Sequence, residues 1–322
     1  MASSSLLIGI DLGGTNMQIG VVDASNKVLG RTKKKTKADE GQDAVISRIV
    51  AGIEEACEAA KVKVADLGAV GIGAPGGIDH KRGVVMEAPN LRWNNVPLAN
   101  LLSEKLKGRP VVVDNDVNVA VYGENKLGAG NNAEDLLGVW VGTGVGGGLI
   151  LNGKLYQGGF GTAGEIGHTV LFPGAALGNR KLEENCSRKF IVLRLARLIR
   201  ANNPSALTEI AGGDEKIEGV GAGALGEAYR KGDDLVCRVV DESADLLGLA
   251  IAHSVTVLAL PLVILGGGLT EALGEPYVRR VQASVRAAAF PDRCKGVKVV
   301  ATKLEDDAGL LGAALLAREE VG

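Results

Sequence analysis

The sequence predicts an α/β protein of two lobes. Three observations carry that expectation. The chain has 322 residues, more than one average domain, and 46% of them are hydrophobic, enough for two cores. β-Branched runs alternate with stretches of helical spacing. Two units of strand, glycine turn and returning strand, one from Leu6 to Val22 and one from Leu137 to Leu151, open successive halves. A duplicated domain whose copies face one another across a cleft accounts for that echo.

Leu6 to Asp11 reads as a strand, Leu12 to Thr15 as a tight turn, and Asn16 to Val22 as the return. A third strand carries Lys33-Lys34-Lys35-Thr36-Lys37, a basic run that marks a solvated sheet edge or, as the alternative, a polyanion site. Gln42 to Ala60 places Val45, Ile49, Ile53 and Ala56 on one helical face. A buried strand from Leu67 to Ile72 runs into Gly73-Ala74-Pro75-Gly76-Gly77. Val111-Val112-Val113 is another, with Asp114, Asn115, Asp116 and Asn118 clustered past its carboxyl end, where ligands of open α/β sheets collect. Asp114 or Asn115 caps the helix that follows. One cap does not require four polar residues.

In the second half, Gly142-Thr143-Gly144 turns the chain back into Leu149-Ile150-Leu151, and Asn152-Gly153 makes a hairpin. Helical recurrence then covers Ser187 to Ala201, Gly221 to Tyr229, Asp233 to Leu258, Tyr277 to Ala289 and Gly309 to Glu320. Pro261 to Leu265, ended by Gly266-Gly267-Gly268, and Val297 to Ala301 are strands. No stretch is polar or long enough for a disordered linker, so the lobe boundary is expected near the Asp116 helix. The lobes are read as 1–116, completed by the terminal helix 305–322, and 117–304.

Composition excludes several classes. A net charge of −2 leaves no nucleic-acid footprint. The leader Met1 to Ser5 is polar, without a basic region, apolar core or cleavage site, and the apolar run from Val255 to Leu265 is too short for a bilayer, so a soluble cytoplasmic protein is expected. Cys57, Cys186, Cys237 and Cys294 form no CxxC pair and read as free thiols. No HExxH spacing and no GxSxG elbow occurs.

Gly71 to Gly76 and Gly142 to Gly147 both fit GxGxxG, but no helix follows either at once, so neither delivers a pyrophosphate to a helix amino end. A glycine turn between strands either satisfies hairpin geometry alone or presents consecutive N–H groups to phosphate, with Thr15 or Thr143 adding a hydroxyl. Two such loops, one beside Asp11, weigh towards a nucleotide whose magnesium Asp11 orients.

Asp11-Leu12-Gly13-Gly14-Thr15, Gly73-Ala74-Pro75-Gly76, Pro89-Asn90-Leu91, Trp93 to Leu98, Asn115 to Ala120, Gly142 to Gly147, Gly164-Glu165-Ile166-Gly167-His168 and Gly266-Gly267-Gly268 follow one another as in the ROK family of sugar kinases and sugar-responsive repressors, which this chain resembles over nearly its whole length. Within that family the resemblance is to the glucokinases. It implies the actin-like, ribonuclease H-like ATPase fold, with ATP and sugar in the cleft. It implies phosphorylation of a hexose, D-glucose before others, at the 6-hydroxyl. The implied sugar-binding set is Gly76, Asn90, Asn115, Glu165, His168 and Glu183, and Asp116 is the implied base, which leaves Asp114 as the expected cap. The nucleotide falls to Asp11, Gly13, Gly14, Thr15, Gly142, Thr143, Gly144, Gly266, Gly267 and Gly268, with Mg2+ accompanying ATP. A homodimer in carbohydrate metabolism is the family expectation.

In most members the histidine of the Glu-x-Gly-His element shares a structural zinc with three cysteines of a following Cys-x-Cys-Gly-x-x-Gly-Cys-x-Glu segment. Here His168 is followed by Thr169-Val170-Leu171-Phe172-Pro173-Gly174-Ala175-Ala176-Leu177-Gly178-Asn179-Arg180-Lys181-Leu182-Glu183, with none of the three. No structural zinc is expected, and Leu171, Phe172, Pro173 and Leu177 are expected to pin the loop by apolar packing. The shortened segment leaves Glu184 as the rival of Glu183. Other readings are an N-acetylmannosamine, N-acetylglucosamine or fructose kinase, polyphosphate as donor, a sugar-sensing repressor, or an actin-like or chaperone ATPase. Against the repressor stand the first strand at Leu6 and the negative charge; against the ATPase stands the set around Asn115, Asp116 and Glu165.

Overall fold

The computed structural model describes residues 6–321; the leader from Met1 to Ser5 lies outside the described residues. The chain forms two compact units. The first opens with β1 (Leu6–Leu12), β2 (Asn16–Val22) and β3 (Val28–Lys35), then α1 (Gln42–Ala60), β4 (Leu67–Ala74), β5 (Gly77–Asp79), β6 (Val84–Ala88), β7 (Trp93–Val96), α2 (Leu98–Lys105), β8 (Val111–Asn115) and α3 (Asp116–Leu127). The second holds β9 (Leu136–Val141), β10 (Val145–Leu151), the first residue of β11 (Lys154–Leu155), α4 (Glu183–Cys186), α5 (Arg188–Arg200), α6 (Leu207–Ala211), α7 (Ala222–Arg230), α8 (Asp234–Leu258), β12 (Leu262–Gly266), α9 (Gly268–Leu273), α10 (Glu275–Ala288) and β13 (Lys298–Ala301). α11 (Ala308–Val321) returns to the first unit.

Each unit is built on a five-stranded sheet of the same plan. The orders are β3-β2-β1-β4-β8 and β11-β10-β9-β12-β13. In the first, β1 and β2 pair antiparallel and β1, β4 and β8 run parallel; in the second, β9 and β10 pair antiparallel and β9, β12 and β13 run parallel. The duplication expected from the two glycine hairpins is therefore a duplication of whole sheets. Each has its own core, around Ile8, Ile10, Ile49, Ile53 and Val70 in the first unit and Val139, Leu195, Leu247, Ile251 and Val263 in the second.

Glycines set how closely α11 lies on the first sheet. A Cβ at Gly9 would stand 1.9 Å from the Leu310 carbonyl oxygen, and one at Gly71 would stand 1.8 Å from that of Ala313. On the other side of α11, a Cβ at Gly312 would stand 1.7 Å from the Val119 oxygen in α3. No side chain fits in any of these gaps, so backbone packs on backbone.

The unit boundary differs from the expected one. The first unit runs through Asn132 and also takes Leu155–Ala163, while the second is Ala133–Lys154 and Gly164–Glu305. α3 stays with the first unit because it packs along α11, and Leu155–Ala163 does so partly because Gln157 Nε2 donates to Asp114 Oδ2 at 2.8 Å. A second departure is the three-stranded sheet β5-β6-β7 with α2, in a stretch where only short motifs were read. A third is α9, which starts at Gly268 directly after β12.

Candidate active site

At the carboxyl edge of the first sheet, Asp11 of β1 lies level with Gly73 of β4, and Gly73 with Asp114 of β8. Three parallel strand ends thus bring Asp11, the Gly76 turn and the Asp114–Asp116 cluster together, because the register of each pair is fixed by buried residues such as Ile10, Ile72 and Val113.

The cap expected at Asp114 is overturned. Asn115, not Asp114, caps α3: its Oδ1 accepts from Val117 N at 2.9 Å and Asn118 N at 3.1 Å. β8 stays paired with β4 up to Asn115, so the helix begins one residue too late for Asp114 to cap it. Asp114 is instead buried and fully engaged. It accepts from Asn115 N at 2.7 Å, Asn118 Nδ2 at 2.8 Å and Gln157 Nε2 at 2.8 Å, and so locks the strand end to the helix and to the Leu155–Ala163 segment. Asn115 Nδ2 donates to the Gly76 carbonyl at 3.1 Å, leaving it one further N–H for a ligand. Asp116 opens α3, and its Oδ1 accepts from its neighbour Val117 N at 2.9 Å.

Asp11 is electrostatically unusual. Burial pushes its carboxyl from 3.8 up to about 7, the nearby charges of Asp116 and Asp306 add to the rise, and Lys33 opposes it. A half-buried carboxylate crowded by two others is a site whose charge a cation relieves. Next to it the β1–β2 turn is drawn tight by Gly13 N to Asn16 O at 3.0 Å and by the Thr36 hydroxyl to Gly13 O at 2.6 Å. Thr15 stands exposed at the tip, and Asn90 packs on Gly14, where a Cβ would come within 2.9 Å of its own. Asn90 is thereby held beside the first glycine turn. Lys33 to Lys35 end edge strand β3 and Lys37 follows it, with Lys33 paired to Asp306, Lys34 to Glu55 and Lys37 to Glu40, a charge-compensated edge.

In the second unit the matching turn, Gly142-Thr143-Gly144, closes through Gly142 N to Gly144 O at 2.9 Å. Glu183, the first residue of α4, lays its carboxylate against Gly144 and accepts from Val145 N at 2.9 Å. Glu184 is committed elsewhere: its Oε2 accepts from Arg180 N at 2.7 Å and Lys181 N at 2.9 Å, and these bonds hold its carboxyl below the usual range. Geometry therefore separates two glutamates that spacing left open. One residue that sequence reasoning passed over is Arg188. Its guanidinium donates to the Thr143 hydroxyl at 3.0 Å and to Val220 O at 3.1 Å, placing a cation on the turn. Only its distance in sequence from Thr143 hid it.

Glu165 and His168 are exposed at either end of a short turn anchored by buried Ile166. The glycines around them let the turn press onto β10, since a Cβ at Gly164 would meet Gly147 O at 2.4 Å and one at Gly167 would meet Val145 O at 2.0 Å. In the last glycine run, a Cβ at Gly266 would strike the Trp140 ring and one at Gly267 the Val141 backbone, while Gly268 faces open space at the start of α9.

The segment after His168 is pinned differently from expectation. Leu177 is 85% exposed and Phe172 38%, and of the four apolar residues only Leu171 packs on the core. Hydrogen bonds do the work instead, through the Val170–Lys181 bridge, Leu182 N to Thr169 O at 3.0 Å, and Arg180 Nε to Ala175 O at 2.6 Å. The donor set does not fit zinc. The His168 Nδ1 atom lies 3.3 Å from the Lys181 ammonium, and Cys186 is buried with its Sγ donating to Ser243 O at 3.3 Å. Among the described residues no three His, Cys, Asp or Glu side chains group as metal ligands. No helix among the described residues is long and apolar enough to cross a membrane.

A profile described as "ROK family" matches residues 7–320. The glucokinase of Thermotoga maritima is 34% identical over 321 residues, 98% of each chain. The glucokinase of Streptomyces coelicolor is 34% identical over 320 residues, again 98% of each. The crystal structure of a ROK family glucokinase from Streptomyces griseus in complex with glucose and AMPPNP is similar with a TM-score of 0.85 and 34% identity, covering 98% of this chain and 99% of that one.

Proposed function

The chain belongs to the ROK family and has its actin-like ATPase fold, and from that premise we infer that it transfers the γ-phosphoryl group of ATP to the 6-hydroxyl of D-glucose. The observation that carries this is the match, over nearly the whole of both chains, to a ROK glucokinase that holds glucose and AMPPNP.

A sugar kinase must hold hydroxyls, take one proton and align the oxygen with phosphorus. Asp116 is the base. Its backbone is fixed as the first residue of α3, and its neighbour Asn115 retains one amide N–H for the sugar. Asn90, which packs against Gly14, and Glu165, His168 and Glu183 supply the other hydroxyl partners; the Gly76 carbonyl fixes Asn115. The donor phosphates fall to Gly13, Gly14, Thr15, Gly142, Thr143, Gly144 and Gly266 to Gly268, with Arg188 adding charge at Thr143. Asp11 would hold Mg2+, which when bound neutralises charge on phosphoryl oxygens; one or two carboxylates completed by phosphate and water suit that ion. Exposed Leu249, Val257 and Leu258 on α8, with Phe290 beside Thr256, support a homodimer.

The test is ADP release over glucose, N-acetylmannosamine, N-acetylglucosamine and fructose, each with ATP or polyphosphate. Glucose with ATP is expected to give the largest kcat/KM. No turnover of any sugar refutes the reading.

A further inference from the structure

We propose that the Lys181 ammonium fixes the His168 ring as a donor from Nε2, doing at Nδ1 what a metal ion would do, and that the Glu184 clamp holds Lys181 in place for it. The proposal rests on the sugar-binding role of His168 and adds a positioning residue to it.

Lys181 Nζ stands 3.3 Å from His168 Nδ1. An ammonium has three protons and no lone pair, so in this contact it can only donate, and Nδ1 must accept. A neutral ring that accepts at Nδ1 carries its proton on Nε2. Metal ligation of Nδ1 has the same consequence, because it too consumes that lone pair and leaves Nε2–H as the outward donor. A sugar hydroxyl oxygen is an acceptor for such a donor.

The backbone around Lys181 is held without help from its side chain. The Glu184 carboxylate takes the N–H groups of Arg180 and Lys181, Val170 and Lys181 form a β-bridge, Leu171 N donates to Arg180 O at 2.9 Å, and Asn185 Nδ2 donates to Lys181 O at 2.8 Å. An ion–dipole contact at the protein surface adds little to folding. Beyond the favourable charge it lends Glu184, the side chain of Lys181 spends its hydrogen-bonding head on the His168 ring, and the loop delivers it there in place of three cysteines.

The test uses the full-length protein with Lys181→Met and Lys181→Arg. The chain has 3 histidines, so ring 15N shifts of His168 are assignable by comparison with His168→Gln. In ligand-free wild-type protein at pH 8, Nδ1 should show the shift of an unprotonated acceptor and Nε2 that of an N–H. Lys181→Met should mix the tautomers and raise KM for glucose about 10-fold with kcat changed less than about 2-fold, the size typical of losing a partner behind a ligand histidine. Lys181→Arg, which keeps the cation, should preserve tautomer and KM, and all three proteins should melt within about 2 °C of one another. Wild-type tautomer and KM in Lys181→Met, indistinguishable methionine and arginine variants, or one tightly bound zinc per chain in the wild type would each overturn the proposal. The ring shifts are read without sugar. If they respond as stated while no hexose is phosphorylated, the ring assignment stands and the reaction is wrong.

Discussion

Replacing Asp11 by Asn should make the ligand-free protein more stable while removing most of its activity. The Asp11 carboxyl titrates near 7 rather than 3.8, chiefly through burial and then through Asp116 and Asp306. Its folded-state affinity for the proton exceeds that of the unfolded chain, so stability is fully present below pH 4, is lost as pH rises towards 7, and changes no further above that. One pKa unit is worth about 1.4 kcal/mol, so the carboxyl costs the fold roughly 1.5 kcal/mol at pH 5, where folding must take up a proton, and at most about 4 kcal/mol at pH 8, where the folded side chain is ionised. Relaxation and water entry reduce the second figure to roughly 2–4 kcal/mol. The amide is nearly isosteric and has no charge to bury. Urea unfolding of both proteins at pH 5 and pH 8, free of nucleotide and magnesium, measures the difference directly. Asp11→Asn should exceed wild type by more at pH 8 than at pH 5, and its kcat should fall at least about 100-fold. A variant no more stable than wild type at pH 8, or an advantage independent of pH, refutes the electrostatic account of this carboxyl.

Asp116→Asn should retain its affinity for glucose within about threefold and lose two to four decades of kcat, by calorimetry and steady-state rates; near wild-type turnover would place the base elsewhere. Arg188→Met should raise KM for ATP about 10-fold and leave KM for glucose unchanged, because the guanidinium touches Thr143 of the glycine turn; equal effects on both would show a general disturbance of α5. Gly71→Ala should cost about 2–4 kcal/mol, since its Cβ would fall 1.8 Å from the Ala313 oxygen and force β4 away from α11. A melting temperature lowered by less than about 3 °C would mean that the helix yields more easily than backbone packing suggests.

Most of the fold is legible in the sequence because both sheets are made of apolar runs punctuated by glycine. β2 from Asn16 to Val22 and α1 from Gln42 to Ala60 are read to the residue. The sheet β5-β6-β7 is not, because Gly77–Asp79 spans three residues and Trp93–Val96 four, too few to show a period. Within the site, the residue types at the strand ends are legible and their hydrogen bonds are not. Whether Asp114 or Asn115 caps α3 depends on one residue of β4–β8 pairing, and which of Glu183 and Glu184 faces the Gly142–Gly144 turn depends on which N–H groups the preceding loop turns inward. Arg188 meets Thr143 across 45 positions, a relation no local pattern carries.

The glycines show why pattern alone misleads. With 47 of them, the sequence invites a phosphate reading wherever they cluster, and Gly71-Ile72-Gly73-Ala74-Pro75-Gly76 has the letters of a dinucleotide loop. In the structure Gly71 is there for α11, whose backbone leaves no room for a Cβ. Gly73 is there for α3, where a Cβ would stand 2.3 Å from a Val119 methyl and 3.1 Å from the Asp116 Cα, and Gly76 carries a φ of 94° in a turn pressed against Glu87. Helix–sheet packing and anion binding select the same residue for the same reason, the need for another atom where a side chain would be. What separates them is whether the space beside the glycine is filled by the protein's own backbone or left open. By that criterion Gly142 and Gly268, which have nothing within 4 Å, stay open on the side a Cβ would take, Gly71 does not, and Gly13, Gly144, Gly266 and Gly267, whose Cβ space is already filled, can offer a phosphate only their backbone N–H groups.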